Sequence, residues 1–267
     1  MADYILVRKS RNIVSSILHV ILNILLGVGS ILLTAITGSF ILGFLLVIVS
    51  KWRIFAVRPR YWLLNLKSSL VDLIVGFSFV LIAYCSGTAL PSFFEHPFHV
   101  HYILAALYTL WLIFIKPLSS SHGASAQSLI AVFFGTTAAV LLSATYDSSI
   151  IVLSSFFIGW AATRHVLVQS DDNNFTLVAL ACGLICAEIA WVFHSWLIVY
   201  TFGDTGIIIP QLSIILTVFA FAFARIYQSL IKNDGELKKD EVLVPTIFSI
   251  LIIFAIVVLF SNPSFHL

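Results

Sequence analysis

The stretch IVSSILHVILNILLGVGSILLTAITGSFILGFLLVIVS, residues 13–50, decides how this chain is built. It contains no Asp, Glu, Lys or Arg. One straight helix of that length would measure about 57 Å, against a hydrocarbon core of about 30 Å. Basic residues flank it on both sides: Arg8, Lys9 and Arg11 before, Lys51, Arg53, Arg58 and Arg60 after. Loops close to membrane spans keep Lys and Arg on the cytoplasmic face. Both ends of the stretch therefore belong to one face, and an even number of crossings lies between them. Two short spans reversing near Gly27-Val28-Gly29-Ser30 meet that condition, because those residues accept the backbone angles of a tight turn. A half-inserted hairpin meets it as well.

Working outward, seven further apolar runs are long enough, or nearly so, to span. They are Ser68–Thr88, Val100–Ile115, Ser125–Tyr146, Ser148–Thr163, Phe175–Tyr200, Ile207–Ala224 and Val242–Phe260. With the hairpin counted as two, the expectation is an all-α polytopic bundle of about nine spans. The N-terminus is then cytoplasmic and the C-terminus outside. Inside segments 51–67, 116–124, 164–174 and 225–241 hold the remaining Lys and Arg; no outside segment holds one. A plasma membrane is the expected location.

Composition sets the class. The chain is 60% hydrophobic and 10% charged, where a soluble domain is nearer 45–50% apolar and about 25% charged. This points to one integral membrane domain over residues 1–267. A net charge of +2 reflects basic anchoring and not nucleic-acid binding. Cys85, Cys182 and Cys186 imply no disulfide framework. No cofactor motif is present, nor a nucleophile elbow, a His-Glu-x-x-His or a phosphate loop.

Among candidate functional residues, Glu188 stands out. It falls at mid-span of Phe175–Tyr200, where a carboxylate is costly and usually faces the bundle interior or a wet cavity. Its functional reading is an ion- or proton-coupling group; its structural reading is a protonated acid bonded across helices. His194 is offset by about 120° from Glu188 and shares no face with it. His19 and Asn23, at i and i+4, share one face and suit either interhelical bonding or a site with Glu188. Asp72, near the inner end of its span, is expected to pair with inside-loop bases. Glu95, His99 and His101 offer O and N ligands to a Zn²⁺ or Cu²⁺, although their spacing matches no standard motif. In the loop 51–67, Trp52, Arg53, Arg58, Arg60 and Trp62 alternate rings with cations. That pattern fits a segment resting on an anionic inner leaflet.

Three function classes follow. The first is a small ion- or proton-coupled transporter or permeation protein. The second is a non-catalytic scaffold or assembly subunit with a membrane-protein partner or a second copy. The third is a membrane enzyme acting on a lipid-linked substrate. Catalysis is the least favoured, since the short loops leave little room for it.

Overall fold

The computed structural model describes residues 13–54, 56–90, 97–168, 175–202, 207–233, 235–260 and 265–266. It is an all-α polytopic bundle. Among the described residues, eight helices are long and apolar enough to cross a membrane.

The decisive stretch forms α1 (Ile13–Thr37) and α2 (Phe40–Val49). The turn is not at Gly27–Ser30, as the sequence suggested. There α1 runs on unbroken, because a helix in lipid must keep its backbone groups bonded. Gly27 instead serves close packing. A Cβ on it would lie 2.4 Å from Thr109 Oγ1. The reversal comes at Gly38, whose φ of 60° lies in the left-handed region. Ser39 then caps α2, its hydroxyl accepting from Ile41 N at 3.3 Å. At about 15 Å, α2 is half a bilayer thick. This is why eight long spans replace the expected nine. The chain nevertheless returns to the end it left: His19, Asn23, Ser50 and Lys51 line one cavity.

After two short turns at Trp52–Ile54 and Pro59–Tyr61 comes α3 (Trp62–Ser68), a surface helix without a buried residue. Next are α4 (Leu70–Tyr84), prolonged by a π turn to Ala89, and α5 (Pro97–Leu110), prolonged by another to Ile115. Then follow α6 (Ser121–Ser143), α7 (Ser149–Leu167) and α8 (Phe175–Phe193). The last two are α9 (Gln211–Lys232) and α10 (Lys239–Val258). Successive long helices alternate in direction. One end of the bundle therefore gathers Lys51, Asp72, Lys116, Arg164 and Lys232 and is called here the basic end.

The opposite end carries a feature the sequence reading missed. The run expected to continue one span to Tyr200 breaks at Phe193. Its β-branched and aromatic tail forms β1 (Ile198–Phe202), between β2 (Ile207–Pro210) and β3 (Phe265–His266), both antiparallel to it. Hydropathy alone cannot separate such strands from a span, whereas their residue types favour a strand. Residues 203–206, in the expected outside loop, lie outside the described residues.

Two cores hold the bundle. Val75, Phe79, Tyr108, Trp111 and Leu112 join α4 to α5 and α1. Val132, Ile151, Cys182, Cys186 and Leu212 join α6 to α9. Small residues let α7 and α8 come together closely. A Cβ on Gly159 would meet Cys186 Sγ at 2.7 Å, and one on Gly183 would meet the Phe156 carbonyl oxygen at 2.9 Å.

Candidate functional site

The first turn of α4 places Asp72 at the basic end. Lys51, just past α2, and Lys116, just past the α5 π turn, converge on the same carboxylate oxygen. Lys116 Nζ lies 3.0 Å from Asp72 Oδ2, and Lys51 Nζ forms an ion pair with that oxygen. Trp111 Nε1 donates to Oδ1 at 3.3 Å. Lys51 and Asp72 are largely buried, and Lys116 is one-third exposed. One carboxylate cannot neutralise two ammonium groups, so the triad carries a surplus positive charge while Lys51 is protonated. Burial, and then repulsion from the Lys116 ammonium, lowers Lys51 to about 6. Burial also lowers Lys116.

The triad lies beside an open recess of about 780 Å³, lined by His19, Asn23, Ser50, Lys51, Asn65 and Lys116 among others. A smaller extension of about 220 Å³ reaches Asp72, Trp111, Gln127 and His165. Gln127 secures this corner. Its Nε2 donates to the carbonyls of Ile115, Lys116 and Leu118 at 2.9, 3.1 and 3.0 Å. Those carbonyls sit where α5 ends, past its regular helical bonds; that of Ile115 also accepts from Leu118 N at 3.1 Å. Gln127 Oε1 in turn meets His165 Nε2 at 2.8 Å, so α7 helps fix the loop that presents Lys116. Arg164 Nη1 donates to the Lys67 carbonyl at 2.9 Å and ties α7 to the same end. Deeper in the bundle, the stacked rings of Phe79 and Tyr108 and the buried Trp111 close the space. The recess is thus open at the basic end and closed toward the middle.

The sequence candidates are scattered relative to this site. His19 and Asn23 belong to it, with Asn23 Nδ2 and His19 Nδ1 3.1 Å apart. Glu188 does not. It is exposed on the outer side of α8, in the same belt as Leu184, Trp191 and Val192. His194, at the far end of α8, bonds through Nδ1 to the Trp191 carbonyl. His101 packs α5 on the end of α4, its Nε2 3.0 Å from the Ala83 carbonyl oxygen, while His99 is exposed. Glu95 lies outside the described residues. Among the described residues no three His, Cys, Asp or Glu side chains come together for a metal. Trp52, Arg58, Arg60 and Trp62 are exposed at the basic end, and Arg53 sits in the turn Trp52–Ile54. Trp62 Nε1 donates to the Val57 carbonyl at 2.8 Å.

The pairing expected for Asp72 is present, with Lys51 and Lys116 as the bases. Gln127 and His165 were missed. The available signal was polarity out of place: an amide in the apolar run Ser125–Tyr146, and an acid at the end where every base collects. Comparison with family models, with curated proteins and with solved structures finds no match for this chain.

Proposed function

We propose that this integral membrane protein takes up a small anion at its basic end as the first step of permeation. In this reading Asp72, and not Glu188, is the exchanging carboxylate. The single observation that carries it is one carboxylate shared by two ammonium groups at the wall of an open recess. An entering anion competes with Asp72 for Lys51 and Lys116 and replaces its charge-assisted bonds with its own. The side-chain amides of Asn23 and Asn65 complete its shell. Passage further requires the Phe79, Tyr108 and Trp111 rings to move, so the closed state described above is one of two.

The basic end is the cytoplasmic end in this reading, on the rule that Lys and Arg stay inside. The exposed rings and cations of residues 52–62 then rest on an anionic inner leaflet, which attracts about 1 kcal/mol per basic residue. The membrane in question is a cell membrane.

Sulfate is a suitable probe because it holds its charge over the working pH range. Binding is measured by calorimetry on the purified chain in neutral nanodiscs, and flux by labelled sulfate entry into proteoliposomes. The double variant Lys51→Met, Lys116→Met should lose binding by at least about tenfold, the scale of two charge-assisted contacts. Unchanged binding in that variant removes the recess as the site. Intact binding with no flux in the parent chain leaves a binding protein and ends the permeation reading.

A second reading, an assembly subunit, draws on α10. Ser249 is its one buried residue, while Val244, Phe248, Leu251 and Phe254 are exposed along it. Co-migration of the chain with a partner after mild detergent extraction, together with absence of sulfate binding, would favour it.

A further inference from the structure

A second cavity lies at the basic end, on the other side of α6 from the recess. It is a cleft of about 250 Å³ between α6, α7 and α9. Its mouth carries Ser121, His122 and Gln228, while Leu129, Ala162 and Ala220 line its inner part. Over eight residues of rise the cleft is about 12 Å deep.

Arg225 makes this cleft unusual. Lys232 closes the same helix seven residues later, so Arg225 sits about 10 Å further into the bundle. Side chains on a helix lean toward its N-terminus, and this one leans further inward. Its guanidinium carbon lies 5.3 Å from the Phe221 ring centroid, one turn deeper. Among the described residues no carboxylate forms an ion pair with it. Three other bases of this end are placed differently. Lys51 and Lys116 share Asp72, and Lys232 meets Glu241 at 2.6 Å. Arg225 is exposed beside the cleft, in the last third of α9, and an ionisable side chain inside a membrane span is a functional-site candidate.

We propose that this cleft binds a single-chain anionic amphiphile drawn from the basic-end leaflet. Its acidic head pairs with Arg225 and takes hydrogen bonds from Ser121 and His122. The first part of its tail lies against Leu129, Ala162 and Ala220, and the remainder continues into lipid. A planar guanidinium suits a carboxylate or a phosphate head equally, since either accepts two parallel bonds. The cleft gives an apolar wall for a tail, which a free inorganic anion would leave unused. This site is independent of the sulfate recess, because Gln127 faces the recess while Ser125 and Ser128 face the cleft.

The test uses dodecyl phosphate, inorganic phosphate and dodecanol on the full chain in neutral nanodiscs, with binding read by native mass spectrometry. Dodecyl phosphate should bind, with neither of the other two competing at the same concentration. Arg225→Gln should weaken it by at least about tenfold, and Arg225→Lys, which keeps the charge but loses the paired bonds, should fall between that variant and the parent. Ala220→Leu, which fills the cleft from α9, should weaken dodecyl phosphate as well. A fold-independent arm uses Ser125→Cys. Dodecyl phosphate should slow modification of the introduced thiol by a polar thiol reagent, and inorganic phosphate should not. Equal binding by parent and Arg225→Gln overturns the proposal, as does full competition by inorganic phosphate or absence of protection in the Ser125→Cys variant.

Discussion

At the scale of single residues, charge surplus and carbonyl capping decide the behaviour of the basic end. Lys51 is lowered to about 6, by burial first and by Lys116 second. A base with a lowered value is charged below it and neutral above. The attraction of the recess for sulfate should therefore be greatest below pH 6 and fall as pH rises through about 6. Titration of sulfate affinity across that value checks this, and Lys51→Met should flatten the curve. Gln127 supports three carbonyls with one amide. Gln127→Leu leaves them without that donor and should destabilise by about 1–3 kcal/mol, read as a lower denaturation midpoint in detergent. Glu188, facing outward, should behave differently: Glu188→Gln should leave sulfate uptake within about twofold of the parent, a change of well under about 1 kcal/mol. The sequence made Glu188 conspicuous because depth along a span is readable from residue count. Which side of the helix faces protein is not readable from α8, whose faces are almost equally apolar. The pairing of Asp72 was legible for the opposite reason, since its only available partners were bases crowded at one end.

At the scale of elements, glycine has two uses here, and the sequence does not distinguish them. Gly27 admits Thr109 of α5, and Gly43 admits Thr34 and Val80, whose nearest atoms lie 2.5 and 2.7 Å from where a Cβ would stand. Gly38 alone in this stretch has positive φ. The expected turn at Gly27–Ser30 was displaced toward the C-terminus because close packing and chain reversal both select glycine. Substitution separates the two uses. Gly38→Ala should cost about 1–2 kcal/mol from left-handed strain. Gly29→Ala should be nearly neutral, since the nearest atom to its Cβ, Leu46 Cδ2, lies at an ordinary 3.6 Å. Paired thermal midpoints of the two variants check the assignment. If Gly29→Ala is the damaging one, the turn lies where the sequence first placed it.

At the scale of the whole molecule, the one-sidedness of Lys and Arg was the most legible property, and among the described residues Lys51, Lys116, Arg164 and Lys232 gather at one end. The α1–α2 pair brings His19 and Lys51 together at the basic end. Cysteine labelling fixes which compartment that is. In a variant lacking Cys85, Cys182 and Cys186, Ser121→Cys should react only from the cytoplasmic face and Ser148→Cys only from the other. The reverse pattern would invert the molecule and with it the direction of anion entry. The sheet has a consequence of another kind. At its start α10 is pinned by Glu241 to Lys232 and Ser229, at 2.6 and 3.1 Å. Near its end the Ile256 carbonyl accepts from Gln211 at 2.9 Å, the Phe260 carbonyl accepts from Tyr200 at 3.1 Å, and β3 zips onto β1. Between these fastenings it presents mostly apolar side chains outward. Mechanically, α10 is a strut bolted at both ends: the polar fastenings hold its two termini, Ser249 at its centre is buried, and the apolar face between them is left to the surrounding bilayer.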